Sequence, residues 1–172
     1  HQEMLDYPYI LAPQCPSFWV DKFLLNGQYY YGKRDYTDDL LALIQDSLIK
    51  YKDIDPKRIY IVGGSMGGYQ GLRLFSDAPD LFAAALIACP AKLPALEKLH
   101  HLKNKKIWLI HSTLDEVVPI ENSLNLLEQI YNEKDTQAMF TLYEKVVIEG
   151  KVIDPHCVFL PLYDNQLTSG QN

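Results

Sequence analysis

The chain is predicted to be an α/β protein, on three observations. Strand-like and helix-like segments alternate along its whole length, the pattern of a parallel sheet flanked by helices. Three apolar runs, at residues 58–62, 83–88 and 106–110, have the β-branched and aromatic character of buried strands. With 172 residues, 48% apolar and 22% charged, the chain can bury one substantial core, so residues 1–172 are read as a single domain.

Taken in order, Tyr9-Ile10-Leu11-Ala12 is a short apolar run stopped by Pro13. A stretch read as a loop follows, rich in aromatics: Phe18, Trp19, Phe23, Tyr29, Tyr30 and Tyr31. Trp19, Tyr29, Tyr30 and Tyr31 are candidate substrate contacts, because aromatic rings combine a large apolar body with a polar edge. Thr37-Asp38-Asp39 supplies an N-cap and an acidic first turn, and Leu40, Leu41, Ile44, Leu48 and Ile49 recur on one helical face, predicting a helix that ends near Tyr51. Arg58-Ile59-Tyr60-Ile61-Val62 predicts a central strand, with a helix starting just past Ser65. Residues 83–88, bounded by Pro90, suit a strand, though periodicity alone also allows a buried helix. Residues 106–110 predict a further strand, 122–131 a helix through Leu124, Leu127 and Tyr131, and 139–147 a last strand.

Composition excludes several functions. A formal net charge of -6 and no block of Lys or Arg leave no electrostatic footprint for nucleic acid or an anionic membrane. The apolar runs are shorter than the roughly 20 residues a membrane-spanning helix needs. The first residues lack the pattern of a secretion signal, and the expected compartment is the cytoplasm. Cys15, Cys89 and Cys157 are odd in number and have no CxxC spacing, so neither a disulfide framework nor a zinc motif is indicated.

Gly63-Gly64-Ser65-Met66-Gly67 fits GxSxG between a predicted strand and a predicted helix. Nucleophilic catalysis needs its serine at a sharp turn there, so that the hydroxyl projects from the sheet and small neighbours let the backbone approach closely. The Met66 amide, at the helix start, is the expected oxyanion donor, a contribution of roughly 3 kcal/mol where such donors have been removed.

The segment from Asp55 to Tyr69 resembles the nucleophile segment of the α/β-hydrolase superfamily, close to its esterase and prolyl-oligopeptidase-like branch. Residues 9–16 are similar to the strand and loop that precede it there. The resemblance implies a mostly parallel sheet with helices on both faces, and a triad in the order Ser, acid, His. His111-Ser112-Thr113-Leu114-Asp115-Glu116-Val117-Val118-Pro119 is similar to the family's acid loop, which aligns Asp115 with the acid and leaves Glu116 as a neighbour. His1 is terminal, His100 and His101 lie in a polar helix-loop, and His111 precedes the acid. His156 is thus the expected base, followed by an aromatic residue at Phe159 as in the family. Glu149-Gly150 predicts an extra hairpin just upstream of it.

The resemblance also implies a second oxyanion donor from an earlier loop, for which no His-Gly motif precedes Ser65. The expectation is that the first strands are supplied from outside these residues, by a second chain or an N-terminal segment that completes the sheet. The expected activity is cleavage of a small carboxylic ester through an acyl-enzyme, with Ser65 as nucleophile, His156 as base and Asp115 as orienting acid, and with no metal or organic cofactor. Two alternatives stand beside it: a prolyl-oligopeptidase-like serine peptidase, and a non-catalytic binding protein on the same fold.

Overall fold

A computed structural model describes residues 9–25, 27–32, 34–131, 137–148 and 150–157. The expectations at His1, Glu149 and Phe159 fall outside the described residues, as do the side chains of Phe23 and Cys157. The described elements run β1 (Lys22–Leu25), β2 (Gln28–Tyr31), α1 (Thr37–Lys50), β3 (Tyr60–Gly64), α2 (Met66–Asp77), β4 (Ala84–Ala88) and α3 (Leu96–Leu99). They continue with β5 (Ile107–Ser112), α4 (Glu121–Ile130), β6 (Ala138–Tyr143), β7 (Val146–Ile148), β8 (Lys151–Ile153) and a 3-10 turn at Pro155–Cys157.

Four strands form the central sheet in the order β3-β4-β5-β6, every pair parallel. The helical crossovers dictate that direction, since a parallel return needs a connection long enough to hold a helix. Register aligns Val62 with Leu86, Trp108 and Met139 on one face, and Ile61 with Ala85 and Ile107 on the other. The second face carries the main core, where Ile61, Ala85, Ile87, Ile107 and Leu109 meet Leu40 of α1, Leu72 and Phe75 of α2, and Leu126 and Ile130 of α4.

Helices were expected on both faces; among the described residues, those packed on the sheet lie on this one. The opposite face leaves Tyr60, Val62 and Met139 more than half exposed, around a groove of about 500 Å³. β3 is an edge strand among the described residues.

Local chemistry explains where α1 begins. Thr37, read as the N-cap, is the first helical residue. The N-cap position is Tyr36, and the Asp35 carboxylate just before it accepts from the Thr37 amide at 2.9 Å and its hydroxyl at 2.7 Å. The same hydroxyl accepts from Gln70 Nε2 at 3.1 Å, so the start of α1 is tied to α2.

Three sequence readings are corrected. The aromatic loop is in part a hairpin: β1 and β2 pair antiparallel from Lys22↔Tyr31 to Leu25↔Gln28, and Gly27 at φ 75 takes the left-handed turn conformation. The run at residues 9–12 is exposed, with Ile10 85% accessible, and is not laddered to any described strand. Its Tyr9 turns instead to the end of α1, donating to Asp53 Oδ2 at 2.6 Å and tilting onto the Tyr51 ring. The last predicted strand is split. β6 ends at Tyr143, where the carbonyls of Tyr143 and Glu144 accept from the Thr113 amide and the Ser112 hydroxyl, and β7 then pairs with β8. The expected hairpin before His156 is present, with Gly150 at φ 77.

Candidate active site

Ser65 sits between β3 and α2 with φ 54 and ψ -119, a left-handed conformation that costs a residue with a Cβ about 1–3 kcal/mol. Its neighbours hold it there. The Ser65 amide donates to the Ala88 carbonyl at 3.0 Å, and its own carbonyl accepts from the Ala91 amide at 3.0 Å. The turn is tight enough that a Cβ on Gly63 would stand 2.4 Å from the Gly67 carbonyl oxygen, and one on Gly68 3.0 Å from that of Ala88. Both glycines therefore answer to space, as the motif required.

Asp115 lies just beyond β5, its side chain fully buried. Its Oδ1 accepts from the amides of Val117 and Val118, each at 2.9 Å, which aims the second oxygen away from its own loop. Glu116 beside it is exposed. His156 sits in the 3-10 turn that follows β8, where its amide donates to Asp154 Oδ1 at 2.9 Å.

These three residues come together. His156 Nδ1 is 2.9 Å from Asp115 Oδ2, and His156 Nε2 is 3.0 Å from Ser65 Oγ. A carboxylate only accepts, so the proton of a neutral imidazole rides on Nδ1 and the Nε2 lone pair faces the serine hydroxyl, which donates to it. That arrangement can take the serine proton as an oxygen–carbon bond forms.

One participant was not read from the sequence. His111, set aside there because it precedes the acid, is fully buried behind Asp115, with its Nε2 3.4 Å from Asp115 Oδ2. Nε2 donates to the Val118 carbonyl at 3.1 Å, and Nδ1 accepts from the Ser123 hydroxyl at 2.8 Å. Burial holds its pKa below the ordinary 6.5, against the opposing pull of the Val118 carbonyl and the Asp115 charge, so the ring that braces the acid loop is neutral. The signal was its spacing: four residues from the acid, at the end of a buried strand.

The other anticipated contacts lie on the hairpin side. Trp19 packs edge-on against Tyr36 and against the main core. Tyr29 and Tyr31 are exposed around the Lys22 ammonium, and Tyr30 meets Phe18 edge-on. An ion pair of Asp21 with Lys92, 2.7 Å, ties the base of that hairpin to the segment whose Ala91 amide holds Ser65. Met66 is the first residue of α2, so its amide has no intrahelical acceptor.

The described helices include none long and apolar enough to cross a membrane. Residues 20–92 match the model of the prolyl oligopeptidase family, a span that includes Ser65 and stops short of Asp115 and His156. Over 59 residues the chain is 42% identical to an acylamino-acid-releasing enzyme of Arabidopsis thaliana, 34% of this chain and 8% of that protein. Among solved structures, a thermostable esterase superposes with a TM-score of 0.66 at 36% identity, over 80% of this chain and 35% of its own. The acylaminoacyl peptidase of Pyrococcus horikoshii superposes with a TM-score of 0.55 at 21% identity, over 64% of this chain and 23% of its own, a likeness of fold. The chain thus spans about a third or less of each of these proteins.

Proposed function

We propose that this chain, whose residues 20–92 match the prolyl oligopeptidase family and which resembles a thermostable esterase over most of its length, is a serine hydrolase that cleaves small carboxylic esters through an acyl-enzyme. Ser65 Oγ attacks the ester carbonyl carbon while His156 Nε2 takes its proton. The imidazolium then returns that proton to the leaving alkoxide. Water, deprotonated by the same nitrogen, cleaves the acyl-serine bond and releases the acid. Asp115 stabilises the imidazolium and keeps Nδ1 protonated, and the Met66 amide donates to the oxyanion. A further segment beside the free edge of β3 would supply the second donor, and the hairpin bearing Tyr29, Tyr30 and Tyr31, with Trp19 at its foot, would wall the acyl or alcohol side.

The observation that carries this reading is the hydrogen-bonded line from Ser65 Oγ through both nitrogens of His156 to Asp115. The ester preference is supported by the esterase likeness, which extends over most of the chain. The plant relative's name favours a second substrate class, an N-acylated amino acid at a peptide end. Rates on short-chain aryl esters against N-acetyl-aminoacyl anilides decide between them. Ester turnover with no anilide cleavage is the expected result, and faster anilide cleavage would replace the esterase reading with the peptidase one.

A further inference from the structure

Cys89, the residue after β4, has φ 35 and is fully buried, and its thiol donates to the His156 carbonyl at 3.4 Å. One ligand atom from each of Cys89, Asp115 and His156 lies within 4.8 Å of the others. A thiolate, an imidazole and a carboxylate form a donor set for zinc and for softer divalent ions, with a fourth position left for water. The sequence carries no metal-binding motif that joins the three: their segments meet only in the fold.

We propose that these three side chains form a divalent-metal site for Zn²⁺ or Cd²⁺ that switches the hydrolase off; the inhibitory half of this rests on the catalytic reading above. The hydrogen bond between His156 Nδ1 and Asp115 Oδ2 marks the place. A metal with bonds of about 2.0 Å to each needs those atoms roughly 3.2 Å apart, a few tenths more than the 2.9 Å present. Cys89 closes in from the side and loses its thiol proton to solvent on binding. With Nδ1 occupied by metal, the neutral ring carries its proton on Nε2. Ser65 Oγ then faces an N–H in place of a lone pair, and no group accepts its proton.

The test titrates Cd²⁺ into the full chain and reads the ultraviolet thiolate-to-cadmium charge-transfer band, which needs no catalysis. One equivalent is expected to bind, and the band should survive in the double variant C15S/C157S, which leaves Cys89 as the only thiol. C89S and C89A should each weaken binding by more than about tenfold. The second readout is fluorophosphonate labelling of Ser65, which Cd²⁺ or Zn²⁺ should block and EDTA restore. A missing band in C15S/C157S, a band that persists in C89S, or labelling that proceeds with the metal bound would each overturn the proposal. If the band forms but metal-free protein never labels, the hydrolase reading falls with its inhibitory corollary, and the metal site stands.

Discussion

His156 Nε2 lies 3.0 Å from Ser65 Oγ, across 91 residues of chain. Two independent parts of the fold make that contact: the turn between β3 and α2, which presents the hydroxyl, and the turn after the β7-β8 hairpin, which presents the ring. Their alignment rests on short polar contacts, the Asp154 carboxylate on the His156 amide and the Cys89 thiol on the His156 carbonyl.

Replacing Ser65 with Ala removes the nucleophile without disturbing these anchors. Both anchoring bonds of Ser65 are made by its backbone, so S65A is expected to melt within about 1 kcal/mol of the wild type. It should lose all fluorophosphonate labelling and at least about 10³-fold in ester turnover. Residual labelling in S65A would mean that another nucleophile is at work.

Asp115→Asn tests the tautomer. The two loop amides on Oδ1 require an acceptor, so the variant keeps its carbonyl oxygen there and turns its NH₂ toward His156. A donor now faces Nδ1, which must become the acceptor, and the ring proton moves to Nε2. In enzymes where this change has been made kcat falls about 10⁴-fold with the geometry intact. The same order of loss is expected here with KM little changed, by steady-state kinetics on a short-chain aryl ester.

The strands and α2 were legible in the sequence because their signals are local. Runs at residues 58–62 and 106–110 carry the β-branched and aromatic side chains that favour strands, and glycines around Ser65 need a tight turn. Asp115 and His156 were legible only through resemblance to a family, since nothing in their spacing brings residues 41 positions apart within 2.9 Å. The hairpin signal Asn26-Gly27 was present but lost among the aromatics that flank it. What could not be read was lateral: Cys89 touches His156 from 67 residues away; the bracing of Asp115 by His111 had a signal in its spacing that was passed over. Residues 9–12 were misread for a related reason. A strand is defined by its neighbour, and an apolar run does not say whether a neighbour is present.

Gly63→Ala probes space at the elbow. The added methyl would meet the Gly67 carbonyl oxygen at 2.4 Å and the amide nitrogen of Gly68 at 3.0 Å, both backbone atoms that move only if the start of α2 moves. Overpacking of this kind costs about 1–3 kcal/mol, so a measurable drop in Tm is expected. Because the displaced turn carries Ser65, labelling by fluorophosphonate should slow by more than the stability loss explains. Gly67→Ala is the control, since a Cβ there meets nothing within 4 Å, and its labelling rate should stay near that of the wild type.

His111 sets a pH dependence of stability whose sign follows from its burial. The folded protein holds this ring below its ordinary pKa of 6.5, chiefly by desolvation. Above that ordinary value both folded and unfolded states carry the neutral ring, and its contribution is whole. As the pH falls below it, the unfolded chain takes up a proton that the buried ring refuses, and stability is lost until the lower folded value is passed. His111→Gln removes the titration while keeping a donor and an acceptor in the pocket. The variant should be less stable by roughly 1–3 kcal/mol near neutral pH, since it fits the Val118 carbonyl and the Ser123 hydroxyl less well. The gap between the two proteins should then narrow as the buffer is acidified below the ordinary histidine pKa of 6.5, which chemical denaturation at stepped pH measures directly. A gap that stays constant over that range would show that the fold does not hold His111 below its ordinary pKa.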